Sequence, residues 1–443
     1  MSDQHFQRNY RLGILNGVSF HVADAFISET TILPSFISNL TSSKLLIGLA
    51  GSLRRASWPL PQAAVAGYLE NRDRKLPVYR ISAVLRVLSM IALVLITFAL
   101  GNNTRLLLLL FFSLFTLYSL SAGIAGLPFM DIVARTIPST RRGTYFGARY
   151  FFGTLLGALA GFFLVRRILH TYPFPKNYGT LFLFATLFIT IGVLLFSFVI
   201  EPSQAVEKKK RSFLKSLSAG KKIFKEDRNY RNLYLTRVFL GIGMMSFPFY
   251  FLYSQKVWAI QEEIVGVLLS AELVGALLTN LLWGNLSNRI GNKIVLKGAA
   301  LTSILIPLSA LTLPLLPLPS PEAGQLPTYR HPALLLFFLI GAVKSGIWIG
   351  YPNFLIDISP ENRRPTYIGF MNTLIAPILF LPTLGGGIVE LFSYETLFTL
   401  SFLAACIALL FASRLKEPRE EGKMPELHHP VGGTFLSVPK ERR

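Results

Sequence analysis

Pro138-x-x-Arg141-Arg142-x-Thr144-Tyr145-x-Gly147 and Pro360-x-x-Arg363-Arg364-x-Thr366-Tyr367-x-Gly369 are one pattern written twice, 222 residues apart. Each copy follows one long apolar run and leads into another. Working outward, three more pairs appear in the same order. Asn9-Tyr10-Arg11 recurs as Asn229-Tyr230-Arg231 at an offset of 220. Gly67-x-Leu69-x-Asn71-Arg72 recurs as Gly284-x-Leu286-x-Asn288-Arg289 at 217, and Glu201-Pro202 as Glu417-Pro418 at 216. One such match is chance; four in order at near-constant spacing mark an internal duplication.

The duplicated unit has the composition of a membrane protein. Of 443 residues, 52% are hydrophobic and 15% charged, where a soluble domain carries about 25% charged residues. A helix needs about 20 apolar residues to cross the hydrocarbon core. The apolar runs predict twelve spans: 11–36, 45–69, 77–100, 106–134, 144–168, 178–200, 231–254, 262–286, 294–315, 332–357, 367–392 and 394–414. The fold class is therefore an all-α membrane protein of two six-helix bundles. An even number of spans per copy makes the copies parallel repeats about an axis along the membrane normal. The expected organisation is a bundle over 1–200, a basic linker over 201–230, a second bundle over 231–415 and a tail over 416–443.

A net charge of +21 raises nucleic acid as a partner, and the placement of the charge answers it. With the N-terminus inside, cytoplasmic segments hold 32 basic residues, the opposite side 7, and span interiors 5. This is the positive-inside asymmetry. It predicts cytoplasmic termini in a bacterial-type plasma membrane, with the lipid bilayer as partner and no nucleic acid. The linker carries Lys208-Lys209-Lys210-Arg211, then Phe213, Leu217 and Phe224; it reads either as an amphipathic helix on the anionic leaflet or as a solvated tether. The Pro-rich stretch 314–332 reads as an irregular loop.

Met1–Arg11 is polar without an apolar core ahead of a cleavage site, so no cleaved leader is expected and the first span serves as an anchor. The lone Cys406 reads as a packing residue. There is no Gly-x-x-x-x-Gly-Lys-Ser/Thr loop to drive transport with ATP and no His-Glu-x-x-His. The six histidines show no ligand spacing; His21, within span one, reads as packing. Neither an enzyme nor a cofactor or metal is expected.

The Gly-x-Leu-x-Asn-Arg loops resemble the signature of the major facilitator superfamily, Gly-x-Leu-x-Asp-Arg-x-Gly-Arg-Lys, between spans two and three. Gly284, Leu286, Arg289, Gly291 and Lys293 match in the second copy, and Gly67, Leu69, Arg72 and Lys75 in the first. The family's Asp is Asn71 here and Asn288 in the other copy, so the charge lock that the resemblance implies would fall to Glu70 or Asp73. The resemblance spans Asn9 to Pro418. It implies gating roles for Gly67, Asn71, Arg72, Arg141, Arg142, Gly284, Asn288, Arg289, Arg363 and Arg364. It also implies that spans one, two, four, five, seven, eight, ten and eleven line a cavity. Drug exporters of the family carry an arginine within span four and Gly-Pro-x-x-Gly-Gly in span five. Here span four lacks that arginine, and span five has Gly153-x-x-x-Gly157-x-x-x-Gly161, a close-packing pattern.

An ionisable residue at mid-membrane costs about 2.5–3.5 kcal/mol on insertion scales and so needs a partner, water or a function. The candidates for substrate binding or ion coupling are Asp24, Glu29, Arg54, Arg55, Glu272 and Lys344. Asp24 and Arg54 lie at comparable depth on neighbouring antiparallel helices, which predicts a pair between Asp24 and Arg54 or Arg55. Glu272 and Lys344 lie near the midplane, and Glu272 is the repeat counterpart of Arg55, so the two are expected to face each other across the axis. Glu29 reads as nearer the outer surface. Arg237 sits one to two turns in from the cytoplasm and Arg86 at the flank, while Asp131, Asp357 and Glu390 read as solvated span ends.

These features predict a monomeric secondary active transporter. It would move a small solute by alternating access with proton coupling at Glu272. The alternative is a transporter-like sensor or assembly platform that moves nothing. Orientation is checked by single cysteines in a Cys406→Ser background. A cysteine at Lys256 is expected to react with an impermeant thiol reagent on intact cells, and one at Lys222 only after permeabilisation; the reverse pattern would invert the topology.

Overall fold

The computed structural model describes residues 3–56, 61, 65, 68–69, 72–101, 103–202, 213–315, 330–360 and 363–418. Gly67, Glu70 and Asn71, the Lys208–Arg211 run, most of the Pro-rich stretch and most of the tail lie outside the described residues. The rest is helical, and ten helices or helix runs are long and apolar enough to cross a membrane. Spans one and two complete the order: the first is interrupted, as Asp3–Ala25 and Ile32–Leu40, and the second is described as Lys44–Ala56.

The observed helices correct several expected boundaries. Span one begins at Asp3 and breaks over 26–31, and span five begins at Ser139. Span seven breaks at the equivalent point, between Arg228–Met244 and Phe247–Trp258. The break in span one has a chemical cause. Ser28 offers the backbone a side-chain partner that competes with the helix: its Oγ accepts from Thr30 N at 3.4 Å and bonds Thr30 Oγ1 at 3.0 Å. In both spans the helix restarts with a proline in its first turn, Pro34 or Pro248, where the missing N–H costs nothing.

The repeated motifs prove to be the joints of each bundle. Asn9 Nδ2 donates to Ile200 O at 2.9 Å and its Oδ1 accepts from Ile200 N at 3.0 Å. Asn229 repeats this with Lys416 at 2.9 and 3.0 Å. First and last spans of each half are thereby clasped. The following glutamate caps the third span of its own half: Glu201 accepts from Lys75 N and Leu76 N at 2.7 and 2.8 Å, and Glu417 from Lys293 N at 2.8 Å. A carboxylate there meets the free N–H groups and the positive end of the helix dipole. The tyrosines of the two motifs also meet, Tyr10 with Tyr145 at 5.6 Å and Tyr230 with Tyr367 at 5.1 Å between ring centroids.

Spans three, six, nine and twelve carry exposed apolar rows such as Ile81, Leu88 and Leu95, or Leu183, Leu187, Ile191 and Leu194. Their helical spacing makes one lipid-facing stripe per helix. The linker helix Phe213–Glu226 takes a course that neither expectation foresaw. It packs on span eleven, with Gly220 against Phe370 and Ile223 buried in a cluster with Tyr367 and Met371, while Lys221, Lys222 and Lys225 stay exposed.

The halves touch at the face opposite the termini. A Cβ on Gly48 would run into Pro382 O, one on Gly386 into Lys44 O, and one on Gly266 into Gly161 O. Spans two and eleven, and five and eight, are thus in backbone contact there, and span five widens to a π turn over Gly161–Val165 at its contact. Gly143 and Gly284 lie eighteen residues from Gly161 and Gly266 on the same helix faces, about five turns or ~27 Å away. Both look into open space. Spans five and eight therefore diverge from the closed face to the face that holds the termini.

Asn9→Ala and Asn229→Ala each remove two clasp bonds. Each is expected to cost about 1–3 kcal/mol and to lower the Tm of the detergent-purified protein. Unchanged melting in both would show that the clasps hold nothing.

Candidate functional site

At the bottom of this cleft the six ionisable candidates come together. Arg54 Nη2 pairs with Asp24 Oδ1 at 2.5 Å, as expected from their depths. Arg55 turns instead to Glu29, at 2.7 Å. Lys344 Nζ lies 2.7 Å from Glu272 Oε1 and 3.3 Å from Glu29 Oε1. Thr30 Oγ1 donates to Glu272 Oε2 at 2.5 Å. Arg55 and Glu272 thus do not meet directly; Glu29 and Lys344 stand between them in one chain, Arg55–Glu29–Lys344–Glu272.

The break in span one makes this possible. A continuous helix would carry Glu29 toward the outer surface. The turns at 26–31 hold it at mid-depth, where two cations from opposite halves reach it. The side chain of Glu272 is 5% exposed whereas that of Asp24 is 42% exposed. The first is sealed in the network, and the second borders the cleft. Gly341 brings span ten onto span eight beside Glu272, since a Cβ there would collide with Glu272 O.

Carboxylates and basic residues in the network balance at three each. Each carboxylate has at least one cation, which is what a charge at this depth requires. The two bonds that join the halves here, Lys344–Glu29 and Thr30–Glu272, are continued toward the closed face. Ser43 Oγ and Leu45 N donate to Glu390 Oε1 at 2.7 and 3.0 Å, Asn39 Nδ2 donates to Glu262 at 2.5 Å, and His170 Nδ1 lies 2.8 Å from Glu263. Glu390 is the exposed span end expected from the sequence, and it also latches the second half to the first. Asp357 and Asp131 are also engaged, with Asn292 Nδ2 and Arg135, both at 2.7 Å.

Sequence reading missed Arg149, counting it among the 32 cytoplasmic basic residues although the expected fifth span, 144–168, contains it. It donates to Gly13 O, and at 3.1 Å to both Asn16 Oδ1 and the Tyr145 hydroxyl; it lies 4.7 Å from the Phe129 ring centroid. Its position inside the expected span is the signal that would have found it. Arg86 is held over Phe20 at 4.4 Å and bonds Tyr118.

The described gating candidates lie at the termini face, apart from the network. Arg72 bonds and stacks on Tyr68, and Arg142 donates to Ile137 O and Ala134 O, within the first half. Arg141, Asn288, Arg289 and Arg363 are exposed, Arg364 opens span eleven, and Gly284 faces space. Outside the spans, burial pushes the Lys75 ammonium below its ordinary pKa, where it donates to Leu69 O and Arg72 O. Among the described residues no group of three or more His, Cys, Asp or Glu is placed to hold a metal.

Comparison with known proteins agrees with this architecture. The family model described as Major Facilitator Superfamily matches residues 233–438. The fold extends the likeness to both halves. The solved nucleoside transporter NupG has 16% identity and a TM-score of 0.65, covering 92% of this chain and 99% of its own. A D-xylose-proton symporter has 16% identity and a TM-score of 0.67, covering 94% and 99%. A POT family transporter in complex with 5-aminolevulinic acid has 14% identity and a TM-score of 0.64, covering 92% and 96%. No curated protein matches in sequence. The second half thus matches the Major Facilitator Superfamily model, both halves share the fold of these solved transporters, and the ten long apolar helices make the chain a multi-pass integral membrane protein.

Removing Lys344 alone leaves Glu272 buried and uncompensated. Lys344→Met is expected to cost about 3–5 kcal/mol, read as a fall in Tm in detergent. Adding Glu272→Gln should restore most of it. A double variant no more stable than the single one would deny that this pair is the reason for Lys344.

Proposed function

We propose that the protein is a secondary active transporter that carries a small solute by alternating access, coupled to protons at Glu272. The moving bodies are 1–200 and 231–415, joined by the linker 201–230, with both termini cytoplasmic in a bacterial-type plasma membrane. The observation that carries this reading is Lys344, held by one carboxylate from each half.

The cleft opens on the termini face, so the conformation is inward-facing in this orientation. To open outward, the halves must part at the closed face, which breaks Lys344–Glu29 and Thr30–Glu272. With all three carboxylates ionised, separation strands charge in a low-dielectric region. A proton on Glu272 removes the charge that Lys344 answers, frees Lys344 for Glu29, and lowers the cost of parting. Return of the proton to the other side resets the bridge. Such a cycle links solute movement to the proton gradient through differential stabilisation of two states. The symporter among the structural neighbours is described as proton-linked, which is consistent with this reading of the present chain.

Glu272→Gln in proteoliposomes is expected to abolish gradient-driven accumulation while solute exchange continues. Accumulation that still follows the pH gradient in this variant would remove Glu272 from the coupling. Absence of counterflow for any solute in the wild-type protein would favour the sensor or assembly role instead.

A further inference from the structure

We infer that Arg237, beside Tyr351, is the docking cation for a carboxylate on the transported solute, so that the substrate class is small organic anions. This rests on the transport reading, and the test below separates the two.

The pseudo-symmetry singles out Arg237. Its counterpart in the first half, at the 220 offset of the Asn-Tyr-Arg motif, is Gly17. A Cβ on Gly17 would run into the Arg149 guanidinium. Each half therefore holds one guanidinium at the same level, sent from span five in the first half and from span seven in the second. The two differ in what they bond. Arg149 is occupied by Gly13 O, Asn16 Oδ1 and the Tyr145 hydroxyl. Among the described residues Arg237 makes no hydrogen bond or ion pair. Its guanidinium lies 5.7 Å from the Tyr351 ring centroid, and Arg55 is within electrostatic reach. The position equivalent to Asn16 is Thr236, whose hydroxyl is spent on Asn232 O at 2.8 Å. The Tyr351 hydroxyl is itself buried without a hydrogen-bond partner. Two donors from spans seven and ten thus lack an acceptor side by side.

Charge points to the sign of the missing acceptor. The six network residues cancel, and the other carboxylates of the lining spans sit at span ends with partners of their own. Arg149 and Arg237 remain as uncompensated positive charge in the cleft. Arg237 is nine residues past the start of span seven at Arg228, or ~13 Å along it, between the open mouth and the network. A solute entering from the termini face reaches it before Lys344. A guanidinium fork matches a carboxylate in two parallel bonds, and the phenol adds a third donor. One free guanidinium suits one negative charge; a phosphate dianion would call for a cluster of cations.

The test is binding to the purified full-length protein, read as a melting shift with lactate, succinate, citrate and benzoate against their amides, glucose and uridine. At least one carboxylate is expected to stabilise the protein, and its amide is not. Arg237→Gln should weaken that carboxylate about tenfold or more, as loss of a charged hydrogen bond does, and Arg237→Lys should retain part of the affinity. Gel filtration confirms that both variants are folded. Stabilisation by uncharged probes alone, no response to any of the four carboxylates, or equal affinity in folded Arg237→Gln would each overturn the assignment. Counterflow of the bound carboxylate in liposomes then addresses transport separately. Selective binding without counterflow leaves the carboxylate site standing and removes the transport reading.

Discussion

Everything in this molecule is arranged around a lysine that belongs to two carboxylates at once. Lys344 binds Glu272 of its own half and Glu29 of the other, deep in a region where an unpartnered charge is costly. The bend in span one exists at the place where it delivers Glu29. The glycines of spans five, eight, ten and eleven bring backbone close enough for short side chains to reach across. Even the latch at the closed face extends the same logic, with three carboxylates of the second half received by donors of the first.

Much of this is legible in the sequence, for identifiable reasons. Depth along an apolar run is a linear measure, so counting residues is enough to match Asp24 with Arg54. The duplication is visible because its motifs are joints: an Asn that must meet a backbone amide and a Glu that must cap a helix tolerate few replacements. What escapes a sequence reading depends on departures from straight helices. Glu29 looks peripheral only if span one is unbroken, although Ser28, Thr30 and Pro34 carry the interruption in their chemistry. Arg149 hides because it stands at the start of span five and is counted with the basic stretch before it. The linker helix invites a choice between lipid and water, and its true partner, the start of span eleven, is close only in three dimensions.

The two halves also show how a duplicated scaffold diverges. Clasps and caps are kept in both copies, as they serve each bundle alone. The charged positions are not kept. Glu272 stands at the repeat position of Arg55, Gly17 where the second copy has Arg237, and Met371 where the first has Arg149. Architecture stays symmetric while chemistry becomes one-sided.

The paired asparagine clasps have a mechanical meaning. Because Asn9 and Asn229 each tie the opening of a bundle to its close, each six-helix ring is braced against shear from within and, in the proposed cycle, would move as a stiff lever. In the proposed cycle the fulcrum is non-covalent charge at mid-membrane, which a single proton would loosen in a way that it could not loosen a peptide hinge.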